Sequence, residues 1–464
     1  MKIKFISLSA CLFAVLVWVT SAACSKGLPW DGVAGTGSIL LMSDIHLDPF
    51  ANPDLVKKLI NAPVEQWESL FESGPTDGFA PYGKDTNYPL MVSALDEAQK
   101  KGPYDYAIVT GDYLVHESRK LFEPFGGKNE QAYEDFVTKT EVFVSREVQK
   151  RLAGTPVYFS LGNNDSECGD YMMAAHTKFL AALSTEWETL NGHREAQKTM
   201  ADAGYYEIAH PTLAGTELVV LNDIYWSNHY HADSCYSQPN DKAGDKEMTW
   251  LGSRLAEAKK KNRKVILAMH IPPQVDIYGT LKAMMINMGP QFFWDKKYET
   301  AYVRLMRDYE GTVVFAFAGH THMDDYRVLT DDQGKPFLVT HICPAVSPIR
   351  MNNPSFEVMA YDKNTGDMKD QAVFYLTNLA SAKGAVNGQW DLEYDFDQTY
   401  GVTAYDAPTL KTLTELMDTN GGLLSQFAKY YIVSAPEGIP PDAWKKVNDL
   451  RLSSTSKELE ESFQ

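Results

Sequence analysis

The sequence predicts an α/β fold. Short β-branched or apolar runs recur along the chain, and each stops at a polar or charged residue. Stretches with apolar residues at helical spacing lie between them. The composition, 44% hydrophobic and 22% charged over 464 residues, is globular. That excludes a disordered chain, a collagen-like fibre and a small disulfide scaffold. At about 100–200 residues per domain, the length fits two to four domains or one large α/β domain with additions.

In chain order, Ser38–Ser43, Tyr106–Thr110, Pro156–Leu161, Glu217–Leu221, Lys264–Met269 and Thr312–Ala318 read as strands. Continuous apolar runs of this length suit strands covered on both faces. Leu90–Lys101, Tyr133–Leu152, Met172–Leu190 and Met248–Lys261 read as helices between them. After residue 330, Phe337–Thr340, Phe356–Tyr361 and Ala372–Leu376 read as strands joined by turns. From Ala407 onward the pattern is helical: Leu410–Met417, Leu423–Tyr431, and Pro441–Leu450 with a proline near its start. This divides the chain into a catalytic domain over about 36–380 and a C-terminal helical region over 381–464.

The amino terminus reads as an address. Lys2 and Lys4 precede an uncharged apolar stretch, Phe5–Val19, and then Ser21, Ala22 and Ala23. This is the pattern of a secretory signal peptide over residues 1–23, so the protein is expected to be exported, secreted or periplasmic. An uncleaved membrane anchor is the alternative. Cys24 follows Ser-Ala-Ala, which resembles a bacterial lipoprotein cleavage site, so lipid anchoring there is a second route to a membrane. Cys168, Cys235 and Cys343 are too few for a disulfide framework. One bridge, Cys168–Cys235, or three inert thiols both fit. Lys+Arg is 43 and Asp+Glu is 61, a net charge of -18. Phosphate backbones would repel such a surface, so general nucleic-acid binding is not expected. A monomer acting on a small molecule is.

The strand ends carry the chemistry. They read Asp44-x-His46, Gly111-Asp112, Gly162-Asn163-Asn164-Asp165, His270 and Gly319-His320-x-His322. In α/β sheets, ligands bind beyond the carboxyl ends of strands. Singly, each block is ordinary turn chemistry, and a lone His270 would be a satisfied core histidine. Five of six strands ending this way is not ordinary. Asp44, His46, Asp112, Asn163, His270, His320 and His322 offer only oxygen and nitrogen donors. That suits zinc, manganese or iron, with zinc favoured. Seven donors exceed one tetrahedral site and fit two divalent ions about 3.5–4 Å apart sharing a carboxylate. With two carboxylates and a bridging hydroxide, such a centre keeps a charge of about +1 and attracts a phosphate. The expected reaction is attack on phosphorus by that hydroxide. His116, four residues after Asp112, is the candidate general acid. Asn222, at another strand end, is a candidate substrate contact.

These blocks resemble the calcineurin-like metallophosphoesterase superfamily. The resemblance implies a β-sandwich core with flanking helices. It implies Asp44, His46, Asp112 and His322 around one ion, and Asp112, Asn163, His270 and His320 around the other. Purple acid phosphatases fit less well, because Val115 stands where they need a tyrosine. A narrower resemblance, to the acid sphingomyelinase-like phosphodiesterases, spans nearly the whole mature chain. It rests on Asp112–His116, Leu221–Ser227, His270–Pro273, Pro344–Pro348, Asn352–Phe356 and Trp390–Phe396, and it supports the role of His116. Asn164 stands where that family has a histidine implicated in acid catalysis. Its block also resembles the endopolyphosphatases. Only about 20 residues separate the signal from Asp44, which leaves no room for a lipid-presenting saposin-type domain. The expected function is an exported dinuclear phosphoesterase acting on phosphodiesters or phosphoanhydrides. The alternatives are a sphingomyelinase or endopolyphosphatase on the same fold, or a binding protein without turnover.

Overall fold

The computed structural model describes residues 27–453 apart from 75–77, 193–195, 232–241, 285, 287, 384–386 and 437–440. The expected signal peptide, Cys24 and Cys235 therefore lie outside the described residues. Among those described, the strands are β1 (Thr36–Met42), β2 (Tyr106–Val109), β3 (Val157–Phe159), β4 (Tyr206–Ala209), β5 (Thr216–Val220) and β6 (Lys264–Ala268). They continue as β7 (Val275–Asp276), β8 (Gln291–Phe292), β9 (Val313–Ala318), β10 (Asp325–Thr330) and β11 (Pro336–Ile342). The last are β12 (Ser355–Asp362), β13 (Met368–Leu376), β14 (Trp390–Asp395) and β15 (Leu452–Ser453).

Two sheets form. One has six strands in the order β14-β13-β12-β1-β2-β3, the other seven in the order β15-β10-β11-β9-β6-β5-β4. β1, β2 and β3 are parallel neighbours, as are β5, β6 and β9. Their side chains are almost wholly buried, which is why these runs lack the alternation of a half-exposed strand. Side chains from both sheets join one buried cluster. A buried hydrogen bond crosses between the sheets, from His341 Nε2 on β11 to Glu357 Oε2 on β12 at 2.6 Å. Helices flank this core, among them Tyr88–Lys101, Glu130–Arg151 and Ala243–Lys260.

Two elements depart from the sequence expectation for physical reasons. The helix expected over Met172–Leu190 begins at Lys178, where the Thr177 side chain accepts from Leu180 N and caps it. The residues before it form a loop that returns to the site, with Tyr171 N bonded to Asn163 O at 2.9 Å. β10 was not legible as a strand because Asp325 and Arg327 interrupt its apolar pattern. Both are 1% exposed and pair with each other at 2.6 Å.

The region expected to be helical from residue 381 departs as well: it first adds β14 to the edge of the first sheet, paired with β13, and only then do helices run from Ala407 to Thr419 and from Gly421 to Tyr431. Arg451 locks this region onto the second sheet. Its Nε bonds Asp325 Oδ1 at 2.7 Å, and its guanidinium lies over Phe427 and Trp444. Removing one partner from a buried ion network leaves an uncompensated charge. Arg451→Ala is therefore expected to cost about 3–5 kcal/mol, read as a lower urea midpoint. No change in the midpoint would mean the network is dispensable.

Cys168 is disulfide-bonded, which overturns the alternative of three inert thiols, and Cys343 is free and buried. Among the described residues, no helix is long and apolar enough to cross a membrane.

Candidate metal centre

The turns after β1, β2, β3, β6 and β9 meet at the carboxyl edges of the parallel strands. They reach the meeting point through unusual backbone. Asp44, His46, Asp112, His320 and His322 all have positive φ, at 50°, 44°, 58°, 70° and 66°. Such left-handed conformations cost about 1–3 kcal/mol each for residues other than glycine and persist only where the surroundings enforce them. Here the turns brace one another: Asp44 N bonds Gly111 O, and His46 N bonds Asp112 O. The approach is close enough to require glycine. A Cβ on Gly162 would sit 2.1 Å from Asp112 Oδ1, and one on Gly319 would sit 1.9 Å from Ser43 Oγ.

The structure brings all seven expected donors together. His46 Nε2 lies 3.3 Å from His322 Nε2, 3.4 Å from Asp112 Oδ2 and 3.7 Å from Asp44 Oδ1. On the other side, His270 Nε2 lies 3.4 Å from Asp112 Oδ2, 3.0 Å from Asn163 Oδ1 and 3.2 Å from His320 Nδ1. Asp112 Oδ2 is thus equidistant from the two groups. Two of the neighbouring polar groups fix ring orientation. His46 Nδ1 donates to Leu114 O, and His270 Nδ1 donates to Thr110 O, each at 2.6 Å. A carbonyl accepts only, so Nδ1 carries the proton and Nε2 faces the cluster. That is the arrangement by which metal-ligating histidines are held.

Asp44 Oδ1 is fully buried, lacks a hydrogen-bond partner and lies 3.3 Å from His322 Nε2. A buried carboxylate oxygen without a donor calls for a cation. The donor set and this orphaned oxygen both fit divalent ions.

The electrostatics agree. Burial opposes charge on every member of the cluster. For Asp44, the fields of His322, His46 and His270 overcome it and hold the carboxyl below the usual range. Asp112 is held low in the same way, chiefly by His270 and His46. Their charges in turn raise His46 to about 9 and His270 to about 10, against burial. Burial prevails for His320, brought down to about 3 with help from His270, and for His322, which is also lowered. Protons on His46 and His270 therefore balance two carboxylates when no cation does. Metal ions take neutral imidazole, so binding must expel these protons. Affinity is expected to rise with pH up to about 10, by about tenfold per unit for each proton released, with two released below about 9 and one above it. Titration calorimetry in buffers of different ionisation enthalpy measures that release, and a pH-independent affinity would contradict it.

The other expected residues separate. His116 stacks on His46 with ring centroids 4.1 Å apart, and its side chain is 25% exposed. Asn164 Nδ2 donates to Asp112 Oδ2 at 2.8 Å, and its backbone N–H donates to Oδ1. Asn222 is fully buried, and its amide donates to Ala203 O. It has no surface to offer a substrate, so the expected contact is not available at this side chain.

Sequence reasoning missed Asp85 and Asp170 behind these, and named Asp165 only as the end of its block without a role. Asp85 accepts from His116 Nδ1 at 3.0 Å, from His116 N at 3.0 Å and from Ser347 Oγ at 3.1 Å. Burial works against its charge, but His116 and His46 hold it at about 2. Asp170 accepts from Asn163 Nδ2 at 2.7 Å, which turns Asn163 Oδ1 toward His270. Asp165 accepts from the backbone N–H groups of Asp112, Tyr113 and Gly162.

Residues 37–324, more than half of the chain, match the family model described as calcineurin-like phosphoesterase. The chain belongs to the calcineurin-like phosphoesterase family. Membership makes it an enzyme of the phosphoester hydrolase class. In this phosphoesterase, residues 335–449 match a second family model, the acid sphingomyelin phosphodiesterase C-terminal region. It is 25% identical over 429 residues to acid sphingomyelinase-like phosphodiesterase 3b of Homo sapiens, covering 89% of this chain and 87% of that one. It is 26% identical over 423 residues to the cyclic GMP-AMP phosphodiesterase SMPDL3A of Rattus norvegicus, covering 88% and 87%. Among solved structures, a dimetal phosphatase from Danio rerio aligns over 76% of this chain and 98% of its own, at 11% identity and a TM-score of 0.38.

Proposed function

We propose that this phosphoesterase hydrolyses small phosphodiesters or phosphoanhydrides using two divalent ions, with zinc favoured. The observation that carries this reading is Asp112 Oδ2, placed 3.4 Å from both His46 Nε2 and His270 Nε2. Asp44, His46, Asp112 and His322 would hold one ion; Asp112, Asn163, His270 and His320 would hold the other. When bound, such a pair polarises phosphoryl oxygens and acidifies water.

The chain's own residues supply the rest. Leu114 O and Thr110 O set the tautomers of His46 and His270. Asp170 orients Asn163. Asp85 holds Nδ1–H of His116 and leaves Nε2 free to serve the substrate. As a water oxygen bonds to phosphorus, its proton passing to bulk solvent, the opposite P–O bond breaks, and His116, carrying a proton on both ring nitrogens, hands the one on Nε2 to the departing oxygen. Asn164 hydrogen-bonds Asp112 and has no proton to give, so this task falls to His116.

The similarity to proteins named as phosphodiesterases supports a diester substrate. Export after removal of residues 1–23 belongs to the same proposal, and the mass of the mature amino terminus tests it. The decisive experiment is elemental analysis of the purified, active protein together with hydrolysis of bis(p-nitrophenyl) phosphate. Two ions per chain and metal-dependent turnover are expected. Turnover undiminished after complete chelation would sink the reading.

A further inference from the structure

A second group of acidic side chains stands apart from the metal centre. Asp370 on β13, Asp395 at the end of β14 and Asp397 in the short helix Phe396–Tyr400 each offer a carboxylate oxygen within 4.8 Å of the other two. Successive side chains of a strand point to opposite faces. Gln371 donates to Glu357 and Asp324 between the sheets. Asp370 therefore faces the other way, toward the outer face of the first sheet.

We propose that these three carboxylates hold a calcium ion that clips the segment after β14 to the first sheet. The first observation behind this is an orphaned oxygen. Backbone N–H groups take one oxygen from each of two carboxylates. Asp370 Oδ1 accepts from Gln371 N at 2.8 Å and from Asp397 N at 2.9 Å, and Asp395 Oδ1 accepts from Gln398 N at 3.0 Å. Asp395 is only 5% exposed, and its Oδ2 is buried without a hydrogen-bond partner. The Asp395 carboxylate lies within hydrogen-bonding range of those of Asp370 and Asp397. With Oδ1 turned to the helix N–H, Oδ2 is the oxygen directed at them. Asp44 Oδ1 in the metal centre carries the same signature.

The second is uncompensated charge. Among the described residues, no lysine, arginine or histidine forms an ion pair with any of the three. Burial pushes Asp370 up to about 7, and the charges of Asp395 and Asp397 add to it. Asp395 is raised by burial and by Asp397. One proton satisfies a single pair and leaves the third carboxylate facing it, whereas a divalent cation is shared by all three.

The third is the donor set. Calcium takes about six to eight oxygens at about 2.3–2.6 Å, from carboxylates binding through one oxygen or two. Oxygens within 4.8 Å of one another can all reach one such ion. Asp397 is only half-buried, which leaves a way in for the ion and for the waters that complete its shell. Magnesium demands octahedral geometry at about 2.0–2.1 Å and sheds its waters reluctantly, so it fits less well. The clip steadies the segment that ends at Tyr405, whose N bonds Met368 O and whose hydroxyl pairs with His341 Nδ1 at 2.8 Å.

The test titrates calcium into the mature, zinc-loaded protein by calorimetry and follows the thermal midpoint. One ion per chain is expected, with Kd about 10⁻³ M or tighter and magnesium at least about tenfold weaker. Saturation should raise the midpoint by about 2 °C or more. Asp395→Asn keeps an oxygen to cap the helix, and Asp397→Asn changes a half-buried side chain, so both are expected to fold. Each should weaken calcium binding by about tenfold or more and leave kcat/KM for bis(p-nitrophenyl) phosphate within about threefold. No binding at about 10 mM calcium, equal binding of magnesium, or full binding in both variants would overturn the inference. A midpoint that rises in Asp395→Asn while wild type ignores calcium would assign the carboxylates a shared proton and overturn it as well.

Discussion

Asp112→Ala is expected to lower turnover of bis(p-nitrophenyl) phosphate by about 10³-fold or more and to reduce bound metal from two ions to one or none. The carboxylate faces both halves of the cluster at 3.4 Å, so its loss removes a donor from each. Metal assistance is worth several kcal/mol of transition-state stabilisation, and each 1.36 kcal/mol is a factor of ten. The deletion also strips His46 and His270 of the anion that raises them most. Asp112→Asn keeps an oxygen to accept from Asn164 N, which bonds the carboxylate at 2.9 Å, but discards the charge. It should fail nearly as badly as alanine, which separates charge from shape. His322→Ala is the useful contrast. Its Nε2 lies against Asp44 and His46 and belongs to one half only. It should lose about one ion. If Asp112→Ala retains two ions and full activity, the shared-carboxylate assignment is wrong.

How far the sequence revealed this centre depends on distance along the chain and on the strength of the local signal. The strand ends were legible because a buried parallel strand is a continuous apolar run, and a polar side chain that stops it is conspicuous. Asp44, Asp112 and His270 were found this way. The gathering residues around them were not. Asp85 is 31 residues before His116, in a stretch with no period to betray it. Asp170 and Tyr171 lie just before the expected start of a helix at Met172, in a loop held to the site by the bond from Tyr171 N to Asn163 O. β10 was hidden by charges whose partner, Arg451, lies 126 residues away from Asp325. Asn222 shows the opposite failure: a polar residue at a strand end looked available, but packing encloses it completely. Local pattern marks where a strand stops, and only the assembled fold shows what each polar end faces.

His116→Ala is expected to lower kcat/KM by about 10²–10⁴-fold for diesters with alkoxide leaving groups. The loss should be far smaller for p-nitrophenyl esters, because p-nitrophenolate departs without needing a proton. The expectation follows from geometry. His116 lies against His46, yet its own Nδ1 is taken up by Asp85, so Nε2 is the nitrogen available to a substrate. Asp85 is a positioning residue in this scheme. Asp85→Asn can still accept one hydrogen bond from the ring, but loses the charge that steadies it. Its penalty should follow the same leaving-group trend with a loss of about 10–100-fold. A plot of log kcat/KM against leaving-group pKa reads both effects. The slope should steepen in His116→Ala and, to a lesser degree, in Asp85→Asn. A general structural collapse would move every substrate down in parallel and leave the slope unchanged. That parallel outcome in a folded, metal-loaded His116→Ala protein would remove His116 from the proton-transfer step.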